Sequence, residues 1–247
     1  DPEMSRGLGD VYKRQVWHIV DCMGVCMTLL EGENAAMLVD TGYGIEDVAD
    51  FMRHMTDLPL TVFLTHNHHD HAMGARCFPE TYMLEADMAD WRMFTNDEMR
   101  RRVLTQAIGK NLPVDEKTFL AGEIPLPKVM KPGVIDLGGL TAEIIEAPGH
   151  TPGSAVVYVP ERKLLLSGDD WNPCTWLFFP QALGLREYRS NMRGIQQLPF
   201  EKVLCPHREA LYDRWMFDDF FNALTDGNLR AAEPVNIAPY EQTDTCQ

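Results

Sequence analysis

The chain has 247 residues, of which 45% are hydrophobic and 24% charged, and its formal net charge is −15. That composition is ordinary for a globular protein, while the charge argues against nucleic acid or an anionic membrane as a partner. No apolar run approaches the roughly 20 residues of a membrane span.

The first fifteen residues, DPEMSRGLGDVYKRQ, are polar and unpatterned. They read as a non-native or disordered leader, which leaves 16–247 as a single domain. VWHIV, VCMTLL and AAMLVD then read as short strands separated by turn-formers. GIEDVADFMRHM has Ile45, Val48, Phe51, Met52 and Met55 at helical spacing. LTVFLTH is a buried-type strand. YMLEADMADWRMF reads as helical, and a further helix opens with a capping box from Thr95 to Glu98 and stops at Gly109. The proline-rich IPLPKVMKPG is a connector. A second run of strands follows in LTAEIIEAP, SAVVYVP and RKLLLSGDD, then a helix around 186–197, the strand KVLCP, and a helix over roughly 209–225. Strands and helices alternating in this way, in two similar runs, predict a layered α/β sandwich.

The stretch THNHHDHAMG, residues 65–74, places four histidines and an aspartate within six positions starting at His66. Metal ligation is the usual reason for such crowding. Along an extended segment His66 and His68 point to one side. A turn beginning near Asp70 would aim Asp70 and His71 at a second point, leaving His69 to face elsewhere. His150, Asp169 and His207 each stand where a strand gives way to a loop. All these donors are nitrogen or oxygen, whereas closed structural zinc sites usually employ thiolates. The six cysteines (22, 26, 77, 174, 205, 246) lack finger or redox spacing and read as reduced thiols of a cytoplasmic protein. His18 and His54 read as ordinary core or surface histidines.

The ordered set VDTGYG, THNHHDH, PGHTPGS, SGDD and CPHRE, within residues 36–208, resembles the metallo-β-lactamase-fold hydrolase superfamily. Its ligand pattern is most similar to the dinuclear zinc hydrolases of the glyoxalase II and lactonase type. The resemblance implies an αββα four-layer sandwich with a helical insertion around 85–121. It implies two Zn2+ ions, with iron or manganese as alternatives at either site. His66, His68 and His150 would hold one ion, Asp70, His71 and His207 the other, with Asp169 bridging and Asp40 orienting the ligand loop. Zinc lowers the pKa of bound water from about 15.7 to about 7, so the implied reaction is hydrolysis by a metal-bridging hydroxide, with Asp70 shuttling its proton.

The substrate follows by exclusion. β-Lactamases of this fold mostly lack the bridging aspartate. Glyoxalase-type enzymes bind an anionic tripeptide through a basic C-terminal extension, whereas residues 209–247 here contain eight acidic and two basic residues. A small, largely uncharged or apolar ester, lactone or thioester remains. The alternatives are a mononuclear iron persulfide dioxygenase of the same fold and β-lactamase activity. The aromatic stretch WNPCTWLFFP after Asp169 predicts a pocket wall containing Trp171 and Trp176. The insertion is expected to overhang the metals and limit substrate size, the alternatives being a helix pair packed on the sandwich or a dimer contact. The partner is a small molecule, not nucleic acid or membrane.

Overall fold

The structure is a computed structural model that describes residues 5–7, 15–177 and 179–231. The first sheet runs in chain order: β1 (Ser5–Gly7), β2 (Val16–Val20), β3 (Cys26–Glu31), β4 (Ala36–Val39), β5 (Leu60–Phe63), β6 (Tyr82–Met83) and β7 (Lys128–Val129). Three leader residues, Ser5–Gly7, thus form its edge, pairing antiparallel with His18–Val20. The second sheet has the order β13-β12-β11-β10-β9-β8. Its strands are β8 (Gly133–Asp136), β9 (Thr141–Glu146), β10 (Ala155–Val159), β11 (Leu164–Leu166), β12 (Lys202–Leu204) and β13 (Leu211–Asp213).

Both sheets contain parallel pairs, β4 with β5, β5 with β6 and β6 with β7 in the first and β11 with β12 in the second. A parallel pair needs a crossover, supplied by α1 (Val48–Met55) between β4 and β5 and by α6 (Leu185–Ile195) between β11 and β12. The sheets face each other through Leu30, Met37, Val39 and Phe63 on one side and Ala142, Ile144, Val157 and Leu166 on the other. The alternate residues point outwards. Leu29, Leu38 and Val62 meet Val48, Phe51 and Met52 of α1. Val156, Leu165 and Val203 meet Tyr188, Met192 and Ile195 of α6 and Phe217 of α7 (Arg214–Ala223). Burial on both faces explains the near-continuous apolar strands, and the four expected layers are present.

The insertion consists of α3 (Trp91–Thr95), α4 (Asp97–Gly109) and α5 (Glu116–Phe119), after α2 (His69–Ala72). Trp91, Val103, Leu104, Ala107 and Phe119 pack on Val25, Tyr43, Leu64, Ala72 and Met73, so most of the segment is core. The N-cap is displaced by one residue, and no capping box forms because N3 is then Met99. Asn96 caps α4 by accepting from the Met99 N–H, because Thr95 still belongs to α3 and its hydroxyl donates to the Trp91 carbonyl. Ile108 is 56% exposed, whereas Arg100 is buried. Its guanidinium donates to the carbonyls of Phe119, Ala121 and Gly122, which close the end of α5.

Two further expectations need correction. The helix expected from about 209 begins only at Arg214, because Leu211–Asp213 pair with β12. It is followed by α8 (Asp226–Ala231). Cys22, Cys26, Cys77 and Cys205 are free, but Cys174 is disulfide-bonded, and Cys246 lies outside the described residues. Among the described residues no helix is long and apolar enough to cross a membrane.

Candidate metal centre

The site residues lie where strands end. β4 delivers Asp40, β5 delivers His66, β9 leads to His150, β11 leads to Asp169 and β12 leads to His207. This is where open α/β sheets generally place ligands, beyond the carboxyl ends of parallel strands.

Asp40 adopts φ 64°, a left-handed conformation that costs about 1 kcal/mol in a non-glycine residue. Its carboxylate is thereby turned towards the histidine loop. It accepts from the Thr65 N–H (2.7 Å), the Thr65 hydroxyl (2.9 Å) and His71 Nδ1 (3.0 Å). Since the Thr65 hydroxyl donates to Asp40, it accepts from His66 Nδ1 at 3.0 Å. Both imidazoles therefore carry their proton on Nδ1 and present Nε2 to the centre. Gly44, at φ +62°, lets this loop cross closely over the 3-10 turn Met73–Cys77 that follows α2, since a Cβ there would lie 2.5 Å from the Gly74 Cα.

His150 Nδ1 donates to the Trp176 carbonyl at 2.7 Å, turning its Nε2 inwards, 2.9 Å from His68 Nδ1. Donor atoms of three groups lie within 4.8 Å of one another: His66, His68 and His150; His66, His71 and Asp169; and Asp70, His71 and His207. Asp169 stands between the two ends. Its Oδ1 is 3.4 Å from His71 Nε2, and its Oδ2 is 3.4 Å from His150 Nε2 and 3.1 Å from His207 Nε2. Asp70 Oδ2 is 3.6 Å from both His71 Nε2 and His207 Nε2.

The donor set fits a metal. His66 Nε2, His71 Nε2 and Asp169 Oδ1 are buried without a hydrogen-bond partner, a condition that costs about 1–3 kcal/mol for each such group unless something else engages it. Imidazole and carboxylate without thiolate suit zinc, iron or manganese. Burial, followed by the neighbouring imidazoles, holds His66 and His68 well below the usual histidine pKa, and burial lowers His150, so these rings are neutral and ready to ligate. Burial would push the Asp70 carboxyl up, but His71, His69 and His207 together draw it down to about 2. Asp169, Asp70 and Asp40 overcome burial to raise His71, and Asp169 leads in raising His207. The carboxylates thus demand positive charge at this point, which a divalent cation would supply.

His69 joins none of these groups and packs edge-on against Tyr43 at 5.5 Å. His18 is buried, with Nδ1 2.9 Å from the Thr28 hydroxyl and Nε2 3.2 Å from the Arg208 carbonyl. His54 is exposed on α1.

Two buried aspartates escaped the sequence reading. Asp87 accepts from the Asn67 N–H (3.2 Å), the Thr151 hydroxyl (2.7 Å) and the Gly153 N–H (2.6 Å), tying the His66–His71 loop to the His150 loop. Gly153 admits this contact, since a Cβ there would meet the Asp87 backbone nitrogen at 2.6 Å. Asp170 accepts from the His150 N–H at 2.9 Å. The doubled aspartate of SGDD was a usable signal for Asp170, whereas Asp87 stood in a segment read as plain helix.

The aromatic wall also differs from expectation. Trp171 is 1% exposed and packs on Tyr212 and Phe217 beneath α7. Trp176 is half-buried and contributes its carbonyl to His150. The rings beside the metal-type residues are Phe94 of the insertion, 4.4 Å from His68, and Phe179, 4.8 Å from His68 and 5.4 Å from His150. Phe94 is thus where the insertion reaches the site.

Residues 20–207 match the sequence profile of the Metallo-beta-lactamase superfamily. The chain is 26% identical over 200 residues to the acyl-coenzyme A thioesterase MBLAC2 of Gallus gallus, covering 72% of this chain and 70% of that protein. Its fold is similar to a metallo-beta-lactamase from Pontibacter korlensis, with a TM-score of 0.60, 18% identity, and coverage of 86% of this chain and 95% of the other. It is also similar to TTHA1623, solved in a di-iron-bound form, with a TM-score of 0.56, 20% identity, and coverage of 81% and 94%.

Proposed function

The chain belongs to the metallo-beta-lactamase superfamily of metal-dependent hydrolases, and from that premise we propose that it is a dinuclear zinc enzyme cleaving an ester, lactone or thioester of an apolar acyl group. The observation that carries this reading is the position of Asp169, whose two oxygens face His71 on one side and His150 and His207 on the other. When bound, the metals would acidify a water and polarise the scissile carbonyl.

The chain's own residues supply the rest. Asp40 and the Trp176 carbonyl fix the tautomers of His71 and His150, an arrangement that also raises ligand basicity. Asp70, ionised at neutral pH, accepts the proton of the attacking water and passes it to the leaving group. Phe94 and Phe179 offer the acyl portion an apolar wall. Among the three bond types, the thioester is favoured by the likeness to an acyl-coenzyme A thioesterase.

Elemental analysis and hydrolysis rates over matched esters, lactones, thioesters and β-lactams test this reading. Two zinc ions per chain and fastest turnover of a thioester or lactone are expected. A single iron with oxygen consumption on a persulfide would overturn it in favour of a dioxygenase, and β-lactams as the best substrates would overturn the acyl reading.

A further inference from the structure

α6 and α7 enclose a groove of about 150 Å3 lined by Arg189, Arg193, Gln196, Phe221 and Asn222. Arg186, Arg189 and Arg193 lie at i, i+3 and i+7 and so share one face of α6. In a chain with 22 basic and 37 acidic residues, three guanidiniums in register form an unusual concentration of positive charge. Like charges at i, i+4 repel by a few tenths of a kcal/mol, and little in the groove relieves them. Arg186 and Arg193 form no ion pair among the described residues, and Arg189 reaches only Asp226, at 3.7 Å, on a largely exposed carboxylate. Asp218 is engaged by Arg214 at 3.0 Å and Gln196 at 3.4 Å. Glu187, the one acid of α6, points about 100° or more away from the arginine face.

The groove is connected to the metal edge by α6 itself. Leu183, just ahead of the helix, donates to the Gly149 carbonyl beside His150 at 2.8 Å. Tyr188 donates to the Asp170 carbonyl, and Asn191 to the Pro148 carbonyl at 2.7 Å. Arg193 lies eight residues beyond Leu185, so it is about 12 Å further along the helix axis.

We propose that this groove binds a phosphate group, either free or carried at the far end of the substrate's leaving half. Guanidinium forks match phosphate oxygens in pairs, and the Asn222 amide can donate to a remaining oxygen. In the second case the inference rests on the thioester reading above and narrows it: the acyl half is apolar, and the thiol it leaves behind is phosphorylated.

The experiment uses the metal-loaded enzyme and R189Q/R193Q. Pyrophosphate binding is measured by calorimetry at low salt. KM is measured for one acyl group presented on coenzyme A and on N-acetylcysteamine, which carries no phosphate. Pyrophosphate should show one more binding site in the parent protein than in the double variant, any site common to both being the metals. If the phosphate belongs to the substrate, the variant should raise KM for the coenzyme A thioester about tenfold or more, since charged hydrogen bonds are lost, and leave the N-acetylcysteamine ester unchanged. That additional site with neither KM altered would assign the groove to a free anion. Identical pyrophosphate binding by the parent and the double variant at millimolar concentration, or an equal KM rise for both esters, would overturn the proposal. Because calorimetry needs no turnover, failure to hydrolyse any thioester would count against the proposed function alone.

Discussion

The two halves of the candidate metal centre are built differently. In the first half, four of the seven candidate ligands fall between His66 and His71, on one strand end and the first turn of α2. In the second half, His150, Asp169 and His207 come from three separate strand ends and are brought together by the antiparallel pairing of β9, β10 and β11 and the parallel pairing of β11 with β12 across α6. The first half is local chemistry, fixed by strand alternation and one helical turn. The second is tertiary, and its accuracy depends on what ties it to the first. Three residues make that tie: Asp169 at the centre, Asp87 between the His66–His71 and His150 loops, and His18 of the first sheet, whose Nε2 lies 3.2 Å from the Arg208 carbonyl next to His207.

The largest effect should come from Asp169→Ala. Because its two oxygens face both ends of the site, metal should be lost from both, by more than the roughly 10–100-fold that a change behind a ligand typically costs. His66→Ala should empty mainly one end. Elemental analysis under graded chelator would separate the two, and identical loss profiles would mean that the halves are not distinct sites.

His18 tests the seam through stability. Burial lowers its pKa from 6.5 to about 4, so between these values the unfolded chain binds more protons than the folded one. Its contribution is fully present above pH 6.5, declines as the pH falls towards about 4, and is constant below that. The difference amounts to about 3 kcal/mol. Comparing unfolding free energies of the parent and His18→Gln across this window cancels the titrations they share. The variant should show the shallower pH dependence, and parallel curves would remove His18 from the account.

Asp87→Ala follows in size. It frees the Asn67 and Gly153 N–H groups and the Thr151 hydroxyl, and metal affinity should fall about 10–100-fold. The loss should be greatest where His66, His68 and His150 meet, and smaller for Asp70, His71 and His207. Equal weakening at both ends would make Asp87 a general stabiliser of the fold instead of a link between the loops.

This asymmetry also explains what could be read in the sequence. Six residues suffice to reveal the histidine cluster, and the strand-to-loop placement of His150, Asp169 and His207 is visible because apolar runs end just before them. Asp87 left no such trace, since its role depends on Gly153, 66 residues away. Trp171 was misplaced because a loop leaving a metal edge normally runs over the surface, whereas here the chain turns under α7. The three-residue β13 is too short to display a period, so Leu211–Asp213 merged with the following helix.

The smallest expected effect concerns the wall that sequence assigned to tryptophans. Phe179 is half-buried and Phe94 is 8% exposed, yet both rings contact His68. Phe94 is held in the insertion and Phe179 in the loop after Asp169, so the two belong to different halves of the site. Removing part of an apolar contact worth about 1 kcal/mol should raise KM for an apolar acyl substrate roughly fivefold. Since the wall binds substrate and transition state alike, kcat should hardly change. Phe179→Ala should therefore act on KM alone with little change in unfolding temperature. Phe94→Ala should lower stability as well, because the ring is largely buried beside the packed insertion. A fall in kcat with KM unchanged for Phe179→Ala would show that the ring orients His68 and does not receive the acyl group. The apolar wall would then lie elsewhere.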